Sequence, residues 1–224
     1  MTDSLRTPLE EEPLRSLRSV VDTLWARLAP HGRPQKQRRI LFTAPDGGGQ
    51  GTATVTACAA VGLARHLRCK VCLVEGGAPS EVIATLFGLE PQPGLSEVLA
   101  GEAQRVKALR MTGEPDLVIM PAGMRGYAPG ALVTEEARSL FRWLADGVDF
   151  LLVDAPAVHR LPEVRPLLWE VEQAVVVVEA ARSRKDEARA LVEALTSSGV
   201  EVLGCALAGY RSELPTWIGG FSST

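Results

Sequence analysis

The chain has 224 residues, 46% hydrophobic and 23% charged, which suits one α/β domain able to bury a core without disulfide or metal staples. Its 24 basic and 27 acidic residues give a formal net charge of -3, so composition implies no general affinity for nucleic acid or an anionic membrane. No apolar run approaches the roughly 20 residues of a transmembrane helix, and the acidic, proline-containing start is no signal peptide, so a cytoplasmic chain is expected.

Residues 1–37 read as an N-terminal arm. Thr2 to Pro13 is polar and acidic, whereas Leu14, Leu17, Val20, Val21, Leu24, Trp25 and Leu28 recur at helical spacing and predict one amphipathic helix ending before Pro30. His31 to Pro34 reads as a linker. Glu12, Arg15 and Arg18, three residues apart, fall on one helical face, which is either solvated or an inter-subunit ion-pair site.

From Arg39 to Glu75 the pattern is strand, glycine-rich loop, helix, strand. Ile40 to Ala44 is a short apolar run of the kind that forms a central parallel strand. Pro45-Asp46-Gly47-Gly48-Gly49-Gln50-Gly51 follows, then Thr52 to Leu67 at helical spacing and Lys70 to Glu75 as the next strand. A glycine-rich loop opening a helix is how a phosphate cradle is built, since loop amides and the helix dipole both favour an anion. A working loop ends in Gly-Lys-Ser/Thr, with the lysine on the transferred phosphate and the hydroxyl on Mg²⁺. Here Gly51 takes the last glycine position, Thr52 the lysine position and Ala53 the metal-ligand position. No lysine lies between Lys36 and Lys70, and Thr54 offers a hydroxyl one step late. The glycines themselves do not establish binding, because a tight strand-to-helix turn needs positive φ with or without a phosphate.

Further on, the spacing predicts helices over Glu81 to Phe87, Ser96 to Leu99, Thr134 to about Asp146 with Thr134 as cap, Val164 to Val171 behind Pro162, and Asp186 to Ser197. Strands are expected at Asp116 to Met120, Phe150 to Asp154, Ala174 to Val178 and Val200 to Leu207, with a loop from Pro121 to Pro129 and a tail over 209–224. This alternation implies a three-layer α/β fold, a mostly parallel sheet over 38–208 with helices on both faces and a ligand site at the carboxyl ends of the strands. Cys58, Cys69, Cys72 and Cys205 fall in predicted elements and read as buried structural thiols, and no Cys or His pairs are spaced for zinc. His31, His66 and His159 have no paired ligands or nucleophile in the sequence. Ser183, among Arg182, Arg184 and Lys185, reads as a surface helix start or a minor anion contact. Trp217 and Phe221 are either an exposed partner anchor or a segment folded back on the sheet edge.

In this order the motifs resemble the cytoplasmic domain of bacterial tyrosine kinases (BY-kinases), capsular and exopolysaccharide proteins that are similar in turn to the MinD and ParA P-loop ATPases. Pro93 to Gly101 is similar to the family's Gly-Leu-Ser-x-x-Leu-x-Gly segment, Met120-Pro121-Ala122-Gly123 to its strand-end turn, and Asp149 to Pro156 to its Walker B strand, with Asp154 as the acid. Val202-Leu203-Gly204 resembles the approach to its last core strand. Glu12-x-x-Arg15-x-x-Arg18 resembles its oligomerisation motif.

The departures from that family lie in the chemistry. Its Asp-x-Asp pair falls on Glu75 and Gly77, its adenine-contacting asparagine falls on Ala208, and of its tyrosine cluster the tail offers Tyr210 alone, Tyr127 being the only other tyrosine. Losing a lysine–phosphate contact and a well-placed metal together removes on the order of 10⁵-fold in rate. The resemblance, so amended, implies a degenerate phosphate loop (Gly48, Gly49, Gly51, Thr52, Ala53, Thr54) without confident catalytic residues, metal or cofactor, ATP and Mg²⁺ being disfavoured. The expected role is a pseudokinase scaffold or regulator of exopolysaccharide or capsule biosynthesis and export. It would dock on the cytosolic segment of a membrane polysaccharide co-polymerase, and oligomerise through Glu12, Arg15 and Arg18 alone or with BY-kinase-like subunits. The alternatives are a divergent ATP-dependent tyrosine kinase or ATPase, and a nucleotide or anion sensor without turnover.

Overall fold

A computed structural model of the chain describes residues 36–208, apart from 48, 160 and 181, together with the isolated Ala26. In chain order the elements are β1 (Arg38–Thr43), α1 (Gln50–Leu67), β2 (Val71–Glu75), α2 (Val82–Leu86), α3 (Leu95–Leu99), α4 (Arg105–Ala108), β3 (Arg110–Met111), β4 (Leu117–Met120), α5 (Glu135–Ala145), β5 (Phe150–Ala155), β6 (Gln173–Glu179), α6 (Lys185–Ser197) and β7 (Glu201–Ala208). One sheet contains all seven strands in the order β3-β4-β2-β5-β1-β6-β7, parallel except for β3. The expected three-layer α/β architecture is therefore the observed one.

The central strands are apolar on both faces because both are covered. Ile40, Phe42, Leu73 and Leu152 point to the side where α1 lies, against Ala57, Ala60 and Val61. Leu41, Val74, Leu151 and Val153 point to the other, against Phe141 and Leu144 of α5 and Leu191 and Leu195 of α6. Small residues along α1 leave no bulk between helix and sheet, and Ala53, Ala57, Ala60 and Ala64 are all buried. Thr134 caps α5 as expected, its hydroxyl accepting the Ala137 N–H at 3.1 Å.

Several sequence expectations need correction. The helix expected over Val164 to Val171 is a six-residue 3₁₀ helix at Arg165–Glu170, the tighter winding that short connecting segments adopt, with Pro166 in its first turn, where a missing amide is tolerated. α4 and β3 were not foreseen, being too short to show a period. Cys58, Cys69 and Cys72 are buried, but Cys205 is exposed on the edge strand β7, and Cys69 sits between α1 and β2 rather than within either. Burial pushes the Cys58 thiol up to about 11 and the Cys72 thiol up to about 12, so both are unreactive. No helix among the described residues is long and apolar enough to cross a membrane. The arm and tail expected at 1–37 and 209–224 lie, but for Ala26, Lys36 and Gln37, outside the described residues, and with them Glu12, Arg15, Arg18, Tyr210, Trp217 and Phe221.

Candidate functional site

The strand order decides what meets at the carboxyl edge of the sheet. β5 inserts between β2 and β1, and its register places Asp154 beside Glu75 on one flank and beside Phe42 on the other. The loop from Pro45 to Gly49 rises over this point into α1, with Gly47 at φ 102° and Gly49 at φ 115°, both in the region that favours glycine. A cleft of about 260 Å³ results, lined among others by Gly47, Gly49, Thr52, Glu75, Gly77 and Asp154. The phosphate-loop, second-strand and Walker B-like positions thus converge at one place. Gly48 is not described.

Within the loop, the two positions that would carry chemistry are buried at the start of α1. Thr52, in the lysine position, is 1% exposed, and Ala53, in the metal-hydroxyl position, is also 1% exposed. Thr52 Oγ1 has no hydrogen-bond partner among the described residues. Thr54 is half-buried and is not the hydroxyl that reaches the acid. That hydroxyl belongs to Thr56, one turn beyond Thr52, whose Oγ1 lies 2.8 Å from the Thr52 carbonyl and 3.2 Å from Asp154 Oδ1.

The acids differ sharply in how they are held. Glu75 is 2% exposed, and its carboxylate is fully engaged in structure. Oε1 accepts Ser80 Oγ at 2.5 Å and the Ile83 N–H at 3.1 Å, and Oε2 accepts the Ala122 N–H at 3.2 Å. It therefore ties β2 to α2 and to the turn after β4. Asp154 has no such set of donors. Burial, and then the neighbouring Glu75 charge, push its carboxyl up to about 7 against the opposing Thr56 hydrogen bond. When protonated, it donates to Thr56 Oγ1, which then donates to the Thr52 carbonyl, so every group in that chain is satisfied.

The segment from Gly94 to Gly101 buttresses the site. Leu95 N–H donates to the Pro121 carbonyl at 2.8 Å and Ser96 N–H to the Ala122 carbonyl at 2.9 Å. Glu97 accepts the Gly94 N–H at 2.8 Å and the Met124 N–H at 3.1 Å. A side-chain carbon at Gly94 would fall 2.3 Å from Gly123 N, so only glycine permits this approach. Despite its desolvation, the Glu97 carboxyl is held below the usual range by these backbone donors. Glu97→Ala is expected to cost about 2 kcal/mol by orphaning two amides. With the folded value depressed, the Glu97 contribution is complete above its unfolded value and is lost as pH falls through the folded one, so urea titrations of wild type and variant should converge at acid pH.

Tyr127 donates its hydroxyl to the Gly76 carbonyl at 2.8 Å, and burial holds the phenol proton well above its ordinary value. It clamps the loop after β2 and is not presented as a phosphate acceptor. Ala208, at the family's adenine position, pairs with Glu179 at the end of β6 and offers no amide side chain. These residues do not fit a magnesium nucleotide. The ammonium is missing, the hydroxyl position is a buried alanine, one acid is committed to structure and the other holds a proton near neutrality. Among the described residues no group of three His, Cys, Asp or Glu is arranged to hold a metal ion.

No family model matches the chain. The tyrosine-protein kinase YwqD of Bacillus subtilis is 24% identical over 204 residues, covering 91% of this chain and 82% of YwqD. The putative tyrosine-protein kinase CapB of Staphylococcus aureus is 23% identical over 139 residues, 62% of this chain and 61% of CapB. The solved kinase domain of the Escherichia coli tyrosine kinase ETK superposes with a TM-score of 0.76 at 20% identity, covering 91% of this chain and 78% of that one. MinD proteins match in sequence and in structure as well. This chain is therefore a homologue of the bacterial tyrosine kinases and of the MinD-like P-loop ATPases, with the P-loop fold that they have in common.

Proposed function

We propose that this chain is a catalytically degenerate relative of the bacterial tyrosine kinases that acts as a scaffold or regulator in exopolysaccharide or capsule biosynthesis and export. The observation that carries this is the commitment of Glu75. A carboxylate at 2% exposure whose two oxygens accept three structural hydrogen bonds is tied to the fold, in a site that also lacks the lysine. Its partner is the cytosolic segment of a membrane polysaccharide co-polymerase, through which it reaches the membrane. Glu12, Arg15 and Arg18 supply the contact by which it assembles with itself or with active kinase subunits.

One observation favours a second reading, a nucleotide or anion sensor without turnover: the buried, unpartnered Thr52 hydroxyl at the cleft wall. Isothermal titration of the full chain with ATP and ADP, with and without Mg²⁺, separates the two. No saturable heat is expected. A micromolar dissociation constant removes the scaffold-only role, and transfer of label from ATP to a tyrosine-bearing partner would restore a divergent kinase.

A further inference from the structure

The phosphate loop is flanked by carboxylates that the cleft does not include. Glu179 ends β6 and leans over the first turn of α1: a side-chain carbon added at Gly51 would lie 2.2 Å from Glu179 Oε1. The Glu179 side chain is 12% exposed and its other oxygen pairs with Arg182 at 2.9 Å. Asp46, within the loop, is fixed to the same place. Ser183 Oγ donates to Asp46 Oδ2 at 3.2 Å and accepts the Glu179 N–H at 2.9 Å. Asp46 Oδ1 is buried without a partner among the described residues.

The helix these acids face is the one an anion would seek. α1 is 18 residues long, starts after Gly49 without a side-chain cap, and carries no acidic residue in its first turn. Its Thr52 hydroxyl, 1% exposed and without a partner among the described residues, marks a polar wall on the cleft side.

We propose that Asp46 and Glu179, latched together by Ser183, are a built-in counter-anion that keeps phosphoryl groups off the loop and so sets this site against nucleotides. This rests on the reading that the wild-type chain does not bind them. A phosphate entering the loop meets the Asp46 carboxylate, held by the Ser183 hydroxyl, and the inner oxygen of the Glu179 carboxylate over Gly51, whose outer oxygen is held by Arg182. At separations of this order each unit charge changes anion affinity by about tenfold after screening by salt.

The test titrates pyrophosphate, and separately ADP, into the full wild-type chain, Glu179→Gln, the double variant Asp46→Asn/Glu179→Gln and the charge control Glu136→Gln. Wild type and Glu136→Gln are expected to give no saturable heat, Glu179→Gln to bind about 10-fold tighter and the double variant about 100-fold tighter than the wild-type limit. A double variant with the wild-type circular dichroism spectrum and melting temperature that binds no tighter overturns the counter-anion and leaves the scaffold reading standing. Micromolar binding by wild type, unchanged in the variants, overturns both. Should the double variant not fold, Ser183→Ala releases Asp46 without altering charge, and absence of any gain there overturns the proposal equally.

Discussion

Glu75→Ala is expected to lower the melting temperature by about 10 °C, the largest loss from a single change at the cleft. Removing this carboxylate orphans the half-buried Ser80 hydroxyl and the buried Ile83 and Ala122 amides. Leaving buried donors without an acceptor costs about 1–3 kcal/mol each before relaxation, and a total near 4 kcal/mol is reasonable once Ser80 turns to solvent. In a domain of this size each kcal/mol corresponds to roughly 2–4 °C. Differential scanning calorimetry checks the figure. A loss below about 3 °C would mean the three donors find other partners and that Glu75 is not a structural hub. The same variant discriminates between roles: an acid kept for metal chemistry is removed with little loss of stability, as active sites are commonly less stable than they could be. Because the Glu75 charge helps raise the Asp154 carboxyl, that carboxyl should titrate lower in Glu75→Ala, provided the variant folds.

Asp154→Asn is expected to do the opposite and stabilise the chain at neutral and higher pH. Its carboxyl sits at about 7 in the folded state, against roughly 3.9 when unfolded. With a raised value the folded state binds the proton more tightly, so stability falls as pH rises from the unfolded value through the folded one. The penalty reaches at most about 4 kcal/mol above pH 7 and is under about 1 kcal/mol near pH 4.5, at about 1.36 kcal/mol per pH unit. Asparagine keeps the shape and donates to Thr56 Oγ1 as the protonated acid does, without the charge. Urea melts at pH 8 and pH 4.5 check this. A stabilisation equal at both pH values would locate the effect in packing rather than in the proton, and none at pH 8 would mean that Asp154 is ionised at little cost. A working metal acid would give the reverse bias, since the protein would gain from its charge once the metal was bound.

Much of this molecule was legible in its chain. The apolar runs at Ile40, Cys72, Phe150 and Val175 read as buried parallel strands, being short and too continuous for a half-exposed strand, and they are strands of the sheet. The glycine-rich loop between strand and helix was equally plain, and it carries Thr52 and Ala53 after Gly51 rather than a lysine and a hydroxyl. Buried thiols were foreseen at Cys58, Cys69 and Cys72 but not the exposed Cys205, whose alternation is interrupted by a bulge facing Ala174 and Val175.

Tertiary structure alone decided the roles of the acids. Glu75 and Asp154 lie 79 residues apart in sequence, 154 minus 75, and become neighbours only because β5 inserts between β2 and β1. Sequence patterns report the faces that one segment buries, so they named the elements; they do not report which strand a segment pairs with, because that pairing is chosen by the packing of the whole sheet. For the same reason the engagement of Glu75, the Thr56 hydroxyl on Asp154 and the approach of Glu179 to Gly51 had no signature in the chain. Local spacing set the strand, loop and helix of the cleft, and long-range contacts decided which groups its acids meet.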